Sequence, residues 1–210
     1  RDEGERPFWI SFADMMTAMM VLFLLVMSVA LLSVTKPHDD RSDGIATLCR
    51  DVQIAARGYA GIHVDCERNV IDFGDRARFD VDRYDLKPDQ QRLLRSFVPE
   101  ILRIAGNPLG QKWLKRIVVE GYTDKSGSYL HNLNLSLQRS QQVLCALLAD
   151  PEFGEQGLRP YQKRSIQKLF LVGGYSANSA KVSKDASRRI ELRLEFYGSD
   201  EAKSTHSVGF

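Results

Sequence analysis

Histidine and cysteine are scarce in this chain: four of one and three of the other among 210 residues. His38, His63, His131 and His206 form no metal-ligand spacing, and no nucleophile motif appears, so an enzyme is not expected. An excess of one charge is missing too. Lys and Arg total 29 against 27 Asp and Glu, and this balance predicts neither a nucleic-acid binder nor a polybasic membrane patch. The basic stretch from Arg159 to Lys168 lacks stacking aromatics beyond Tyr161 and reads as a solvated face. No internal repeat and no low-complexity tract is present.

What stands out is a long apolar run. Between Phe8 and Val34 the one ionisable side chain is Asp14. A run of this length reads as a membrane-spanning helix. It is too long for a signal peptide and has no small-residue cleavage site at its end, so it is expected to stay as an anchor. Arg1 and Arg6 before it and Lys36 and Arg41 after it leave the orientation open. The chain starts at Arg1 without a methionine, so further sequence is expected upstream.

Asp14 has two readings. It suits the N-cap of a helix beginning at Met15, which would still hold about 20 apolar residues. Alternatively Pro7 occupies the first turn and Phe8, Trp9 and Phe12 form an interfacial belt. Asp14 then lies roughly 10 Å of helical rise inside, with Thr17, Ala18 and Val21 on its face. A carboxylate there costs about 2.5–3.5 kcal/mol on insertion scales and by default marks an ion or proton path. The flanks favour this second reading. One helix cannot enclose a path, so the other walls must come from another subunit. The five methionines all fall in this run and read as adaptable packing.

Beyond the span, residues 35–44 read as a polar linker that ends the helix. Ile45, Leu48, Val52 and Ala55 predict a short amphipathic helix. Cys49 and Cys66 flank it and could close a loop in an oxidising compartment, although cysteine counts do not deduce pairing. Residues 62–66 and 70–73 alternate as a hairpin. A helix opens at Pro88 and closes at Gly106-Asn107-Pro108. Ile117–Gly121 is a buried strand, 133–148 a helix with Cys145 as a buried thiol, 169–172 a strand and 190–196 a last strand. The order predicts a small α/β domain, a mixed sheet with helices packed on one face.

A second constellation runs Gly121-Tyr122-Thr123-Asp124-Lys125-Ser126-Gly127-Ser128, then Asn132, Leu135-Ser136 and Arg139. Asp124 in the strand–helix loop and Arg139 two turns along the helix suit a zwitterion, the carboxylate taking an ammonium and the guanidinium a carboxylate. A helix cap and a solvated arginine explain the same residues equally well.

The pattern G-Y-T-D-x-x-G-S-x-x-x-N-x-x-L-S-x-x-R resembles the OmpA-like peptidoglycan-binding domain. The resemblance implies that Asp124 and Arg139 hold the two ends of a diaminopimelate side chain in the peptide stem, with Thr123 and Asn132 supporting the loop. Arg188-Arg189-Ile190-Glu191-Leu192 is similar to that family's closing N-R-R-V-E motif, which brings in Arg189. Ser187 stands where Asn is usual, and Asp82 where many members have Asn in F-D-x-N.

Residues 7–23 resemble MotB-type stator subunits, in which the intramembrane aspartate binds a proton. More closely they are similar to the ZorB family, the stator-like subunits of Zorya anti-phage defence systems. Lys112–Lys115, Leu135–Ser140 and Lys168–Gly174 extend this resemblance over nearly all of 6–198. It implies an inner-membrane protein with a cytoplasmic N-terminus and a periplasmic domain, forming a homodimer inside a pentamer of a ZorA-type subunit. It also implies no bound cofactor, with H⁺ or Na⁺ translocated past Asp14 and Thr17. The domain plan is a cytoplasmic tail at 1–6, the transmembrane helix at 7–34 and a linker with its short helix at 35–69. The OmpA-like domain at 70–198 and a flexible tail at 199–210 complete it. The alternatives are a flagellar MotB-type stator and a passive membrane-to-wall tether. No direct nucleic-acid contact is expected.

Overall fold

The structure, a computed structural model, describes residues 6–150, 157–178 and 180–198. The chain forms two compact units, one up to Asp43 and the other from Gly44. The first is carried by helix α1 (Arg6–Ala56). Within it Ser11–Leu32 is long and apolar enough to cross a membrane, with a mean hydropathy of 2.6 and none of its residues buried. Of the expected aromatic belt, Trp9 and Phe12 are described, and both are exposed. Residues 1–5 of the expected N-terminal tail, and the C-terminal tail at 199–210, lie outside the described residues.

The expected break at 35–44 is not seen: α1 is continuous to Ala56. Polar residues alone do not end a helix, and a proline such as Pro37 removes one backbone hydrogen bond while the rest of the ladder persists. Nor do residues 45–69 behave as a linker. Leu48, Val52, Ala56 and Ile62 belong to the core of the globular unit, which therefore starts at Gly44 rather than near residue 70. Gly44 itself meets Trp113, because a Cβ there would lie 2.4 Å from the indole nitrogen. Cys49 and Cys66 form a disulfide with Cα atoms 5.8 Å apart, tying this end of α1 to the hairpin.

That hairpin is β1 (His63–Asp65) and β2 (Val70–Asp72), turned through Asn69 at a positive φ of 55°. A helical turn at Gly74–Ala77 leads on to α2 (Pro88–Ala105) and α3 (Pro108–Trp113). Next come β3 (Leu114–Gly121), α4 (Tyr129–Leu148), α5 (Pro160–Leu169), β4 (Phe170–Gly174), the single turn α6 (Lys184–Ser187) and β5 (Ile190–Phe196). The sheet order is β1-β2-β5-β3-β4, antiparallel except for the parallel pair β3–β4. It is an open, mixed sheet.

Register separates its two faces. Ile117, Val119 and Gly121 pair with Leu194, Leu192 and Ile190, and the six lie on one face of the sheet. Their apolar side chains form one core with Leu94, Phe97 and Ile101 of α2, Val143 and Leu147 of α4 and Ile166 of α5. Phe97 meets Phe73 and Tyr59 edge-on, at centroid distances of 6.1 and 5.0 Å. The other face carries charge: Glu120 pairs in register with Glu191, and Glu191 with Asp72. Three carboxylates in a row repel, and cations offset them. Arg193 reaches Glu120, Arg189 reaches Glu191 and Lys181 reaches Asp72.

Helices α3 and α5 have no counterpart among the expected elements. The basic stretch lies on α5, where Lys163 pairs with Asp150 at 2.7 Å and Ile166 alone is fully buried. Cys145 is exposed, not buried. Val143, Ala146 and Leu147 face the core, and one helical position off that stripe turns Cys145 outward.

Candidate functional site

Two glycines set the geometry. A Cβ at Gly121 would fall 1.9 Å from the Ser136 carbonyl oxygen, and one at Gly174 would fall 2.5 Å from Leu137 Cγ. Their absence of side chain lets α4 lie directly on the ends of β3 and β4. Ser136 locks the contact, its Oγ accepting from the Ser176 amide at 3.1 Å. The β3–α4 loop is thereby held under the start of α4, which Ser128 caps by accepting from the His131 amide at 3.3 Å.

This packing encloses a cavity of about 220 Å³ lined by Asp82, Thr123, Asp124, His131, Asn132, Arg139 and Arg188, with Val81 and Leu135 as apolar walls. Asp82, Thr123, Asp124, Asn132 and Arg139, all expected at the site, are thus brought together. Arg189 is not. It lies on the opposite face of the sheet, bonded to Glu191 at 2.6 Å and stacked over the Tyr122 ring at 4.3 Å. Its neighbour Arg188 enters the cavity instead, because successive residues at a strand start point to opposite faces.

Arg139 is fully buried. Its Nε donates to the Arg83 carbonyl at 2.9 Å, and its two terminal nitrogens donate to the carbonyls of Tyr122 at 2.8 Å and Asp80 at 3.2 Å. The guanidinium also covers the Phe79 ring at 4.9 Å. Burial, then the nearby Arg188 charge, push its pKa down to about 10, which still leaves it cationic at neutral pH. Three of its five N–H groups are used in these bonds.

Asp124 is held from two sides. Its Oδ1 accepts from the Ser126 amide at 2.8 Å and its Oδ2 from Arg188 at 3.1 Å; Arg188 in turn reaches Asp185 and the Phe79 carbonyl. Burial alone would raise the Asp124 pKa, but the Ser126 and Arg188 bonds outweigh it and hold the carboxyl below its usual value. Asn132 Nδ2 donates to the Ser126 carbonyl at 2.8 Å and the Asp124 carbonyl at 3.3 Å, fixing the loop. Thr123 Oγ1 is buried and has no hydrogen-bond partner among the described residues, an exception among buried polar groups. Among the described residues no cluster of His, Cys, Asp and Glu could hold a metal ion.

In the span, Thr17 Oγ1 donates to the Ala13 carbonyl at 2.7 Å. Its proton is committed to the helix, so its hydroxyl offers acceptor lone pairs only. Asp14 is exposed and has no hydrogen-bond partner among the described residues.

An apolar anchor helix followed by an open mixed-sheet domain with a charge-lined cavity defines a membrane-anchored α/β protein. Residues 1–38 match the profile of the family described as membrane MotB of the proton-channel complex MotA/MotB. Over 218 aligned residues the chain is 46% identical to the Zorya protein ZorB of Escherichia coli O139:H28, covering all of this chain and 89% of that one. Among solved structures, the cell wall anchor of the T6SS from Pseudomonas aeruginosa is 17% identical, with coverage of 70% and 95% and a TM-score of 0.44. A putative MotB like protein from Desulfovibrio vulgaris is 18% identical, with coverage of 76% and 96% and a TM-score of 0.41. The full-length relative decides the assignment: the chain belongs to the ZorB family. It is a stator-type subunit anchored in the inner membrane by one helix, with its C-terminal domain in the periplasm.

Proposed function

We propose that this chain is the ion-handling, wall-anchored subunit of a motor driven by the proton motive force in anti-phage defence, working as a homodimer within a pentamer of a ZorA-type partner. The observation that carries the proposal is Asp14, the one ionisable residue in the span Ser11–Leu32. An unpaired carboxylate there costs about 2.5–3.5 kcal/mol, a cost that a passive anchor has no reason to bear. Asp14 takes up and releases the ion, H⁺ or Na⁺, and the Thr17 oxygen beside it supplies a further acceptor. The remaining walls of the path come from the partner subunit.

The cavity supplies the fixed point. Its unneutralised and partly committed charges suit a small zwitterion, and the peptide stem of peptidoglycan offers one in its diaminopimelate side chain. Asp124 lies at the ammonium end and Arg139, through its two remaining N–H groups, at the carboxylate end. The site binds and does not turn over its ligand. Torque generated at Asp14 is thereby referred to the cell wall.

The test is Asp14→Asn in cells that also carry the genomic neighbour. Ion flux and phage protection are expected to vanish while the protein level and sacculus binding stay at wild-type values. Full protection by the variant would refute the motor and leave the passive tether, which the change to a more easily inserted side chain does not impair.

A further inference from the structure

Helix α1 enters the globular unit with one side used and another open. From Gly44 to Ala56 it buries Gly44, Leu48, Cys49, Val52 and Ala56. Thr47, Arg50 and Ile54 recur at intervals of three and four residues on a different face. All three are exposed, Ile54 by 54%. This spacing is that of the seam of a two-stranded coiled coil.

Two charges lie on or beside the seam. Neither Arg50 nor Asp51 has a side-chain hydrogen bond or ion pair among the described residues. As neighbours on one helix they project about 100° apart and do not meet each other. Next to Asp51 is a groove of about 190 Å³ between α1 and the end of α2, lined also by Ile54, Ala55, Arg103, Ile104 and Asn107. Arg103 is paired with Glu100 at 3.1 Å, so Asp51 is the unneutralised charge of the groove. What suits it is a cation on an apolar stem.

A second copy can supply that cation. Copies anchored in one membrane by the same span leave it in the same direction. Two α1 helices related by a two-fold then meet in parallel, with equal residues level. In such a pair the side chain at the Arg50 position packs among the partner's Thr47, the partner's Asp51 and the partner's Ile54. Leu48, Val52 and Ala56 stay turned to their own domain.

We infer that Thr47, Arg50, Asp51 and Ile54 form a docking face for a second copy of this chain, held by two reciprocal Arg50–Asp51 ion pairs around a central Ile54 contact. This rests on the homodimer proposed above and locates its contact in the globular unit. The face is too small to join chains free in solution, and the shared membrane supplies the effective concentration it needs.

The test uses the full chain in membranes with its genomic neighbour, in a Cys145→Ser background. Under mild oxidation Ile54→Cys is expected to give a disulfide-linked dimer as the main product. Gln141→Cys, exposed on α4, is expected to stay at background. Adding Arg50→Asp or Asp51→Arg to Ile54→Cys sets like charges opposite each other and is expected to slow cross-linking about fivefold, the scale of an exposed ion pair. Both exchanges together restore the pair in reverse and most of the rate, which a purely local effect on α1 would not do. Native mass spectrometry of the purified complex counts the copies independently. Equal cross-linking at the two cysteine positions overturns the inference, as do single exchanges without effect or a double exchange no faster than the singles. In each of these cases two copies per complex keep the homodimer. One copy per complex removes both readings.

Discussion

The carboxylate of Asp14 has no hydrogen-bond partner among the described residues, whereas that of Asp124 is met by an amide and a guanidinium. The same side chain is thus left open in the membrane unit and closed in the globular one. A charge among apolar residues with no partner among the described residues calls for a neighbour, and on the proposed function that neighbour belongs to another subunit. The globular unit contains its own solution. Arg139, Asp124, Arg188 and Asn132 bond one another or the backbone, and among the described residues the buried Thr123 hydroxyl is left without a partner.

Substitutions can break this contrast, and the largest effect is expected from Asp14→Asn. Flux and protection fall to background, while unfolding of the globular unit, followed by denaturant titration, stays unchanged. Next is Arg139→Ala, which orphans the carbonyls of Arg83, Tyr122 and Asp80 together. A loss of about 3–5 kcal/mol is expected at roughly 1 kcal/mol or more per buried acceptor, together with loss of sacculus binding and no change in the membrane helix by circular dichroism. Removing the disulfide by Cys49→Ser with Cys66→Ser is expected to cost roughly 3 kcal/mol, the scale for a loop of this size, and reducing agent should reproduce it in wild type. Thr123→Val is the finest probe. Deleting a buried hydroxyl with no partner among the described residues should leave stability within about 1 kcal/mol of wild type or slightly raise it, while sacculus affinity falls.

Acid sharpens the same contrast. The Asp124 carboxyl titrates below its usual value in the folded state. Its contribution is therefore present above the ordinary carboxylate range and is lost as pH falls through the lower, folded value. Stability should be flat between about pH 7 and 5 on this account and fall only below roughly pH 4, where unfolded carboxylates also begin to bind protons. In Asp124→Asn that acid limb should be shallower. An equal slope in both proteins would show that Arg188 and Ser126 do not stabilise the charged form.

Much of the fold was legible in the residues. The alternation of 190–196, the hairpin around Asn69 and the helix opened by Pro88 depend on local rules and appear as expected. Helices α3 and α5 were not legible, because six residues, or a basic stretch with one core side chain, have too little periodicity to signal a helix. Cys145 was misplaced for a related reason: an apolar neighbourhood in sequence does not say which side of the stripe a residue takes. At the site, spacing left Asp124 and Arg139 open between a ligand pair and a helix cap with a solvated arginine, and the resemblance of the motif singled them out. Arg188 was not distinguished from Arg189, because which of two adjacent arginines faces the cavity follows from the strand register of β5.

In the opposite direction, the apolar run and its carboxylate owed nothing to tertiary structure. Twenty-two consecutive residues without a second charge state their own environment, since only a membrane or a core accommodates them, and Asp14 is conspicuous against that background whatever the rest of the chain does. What only the tertiary structure decided is how the charges of the globular unit are shared out. The residues from Gly44 join the core through contacts with distant segments, Gly121 and Gly174 admit α4 to the sheet, and Arg139 spends three donors on carbonyls far from it in sequence. Composition lists those charges without their partners. Long-range packing chooses the partners, and so decides that Asp124 is enclosed while Asp82 stays exposed.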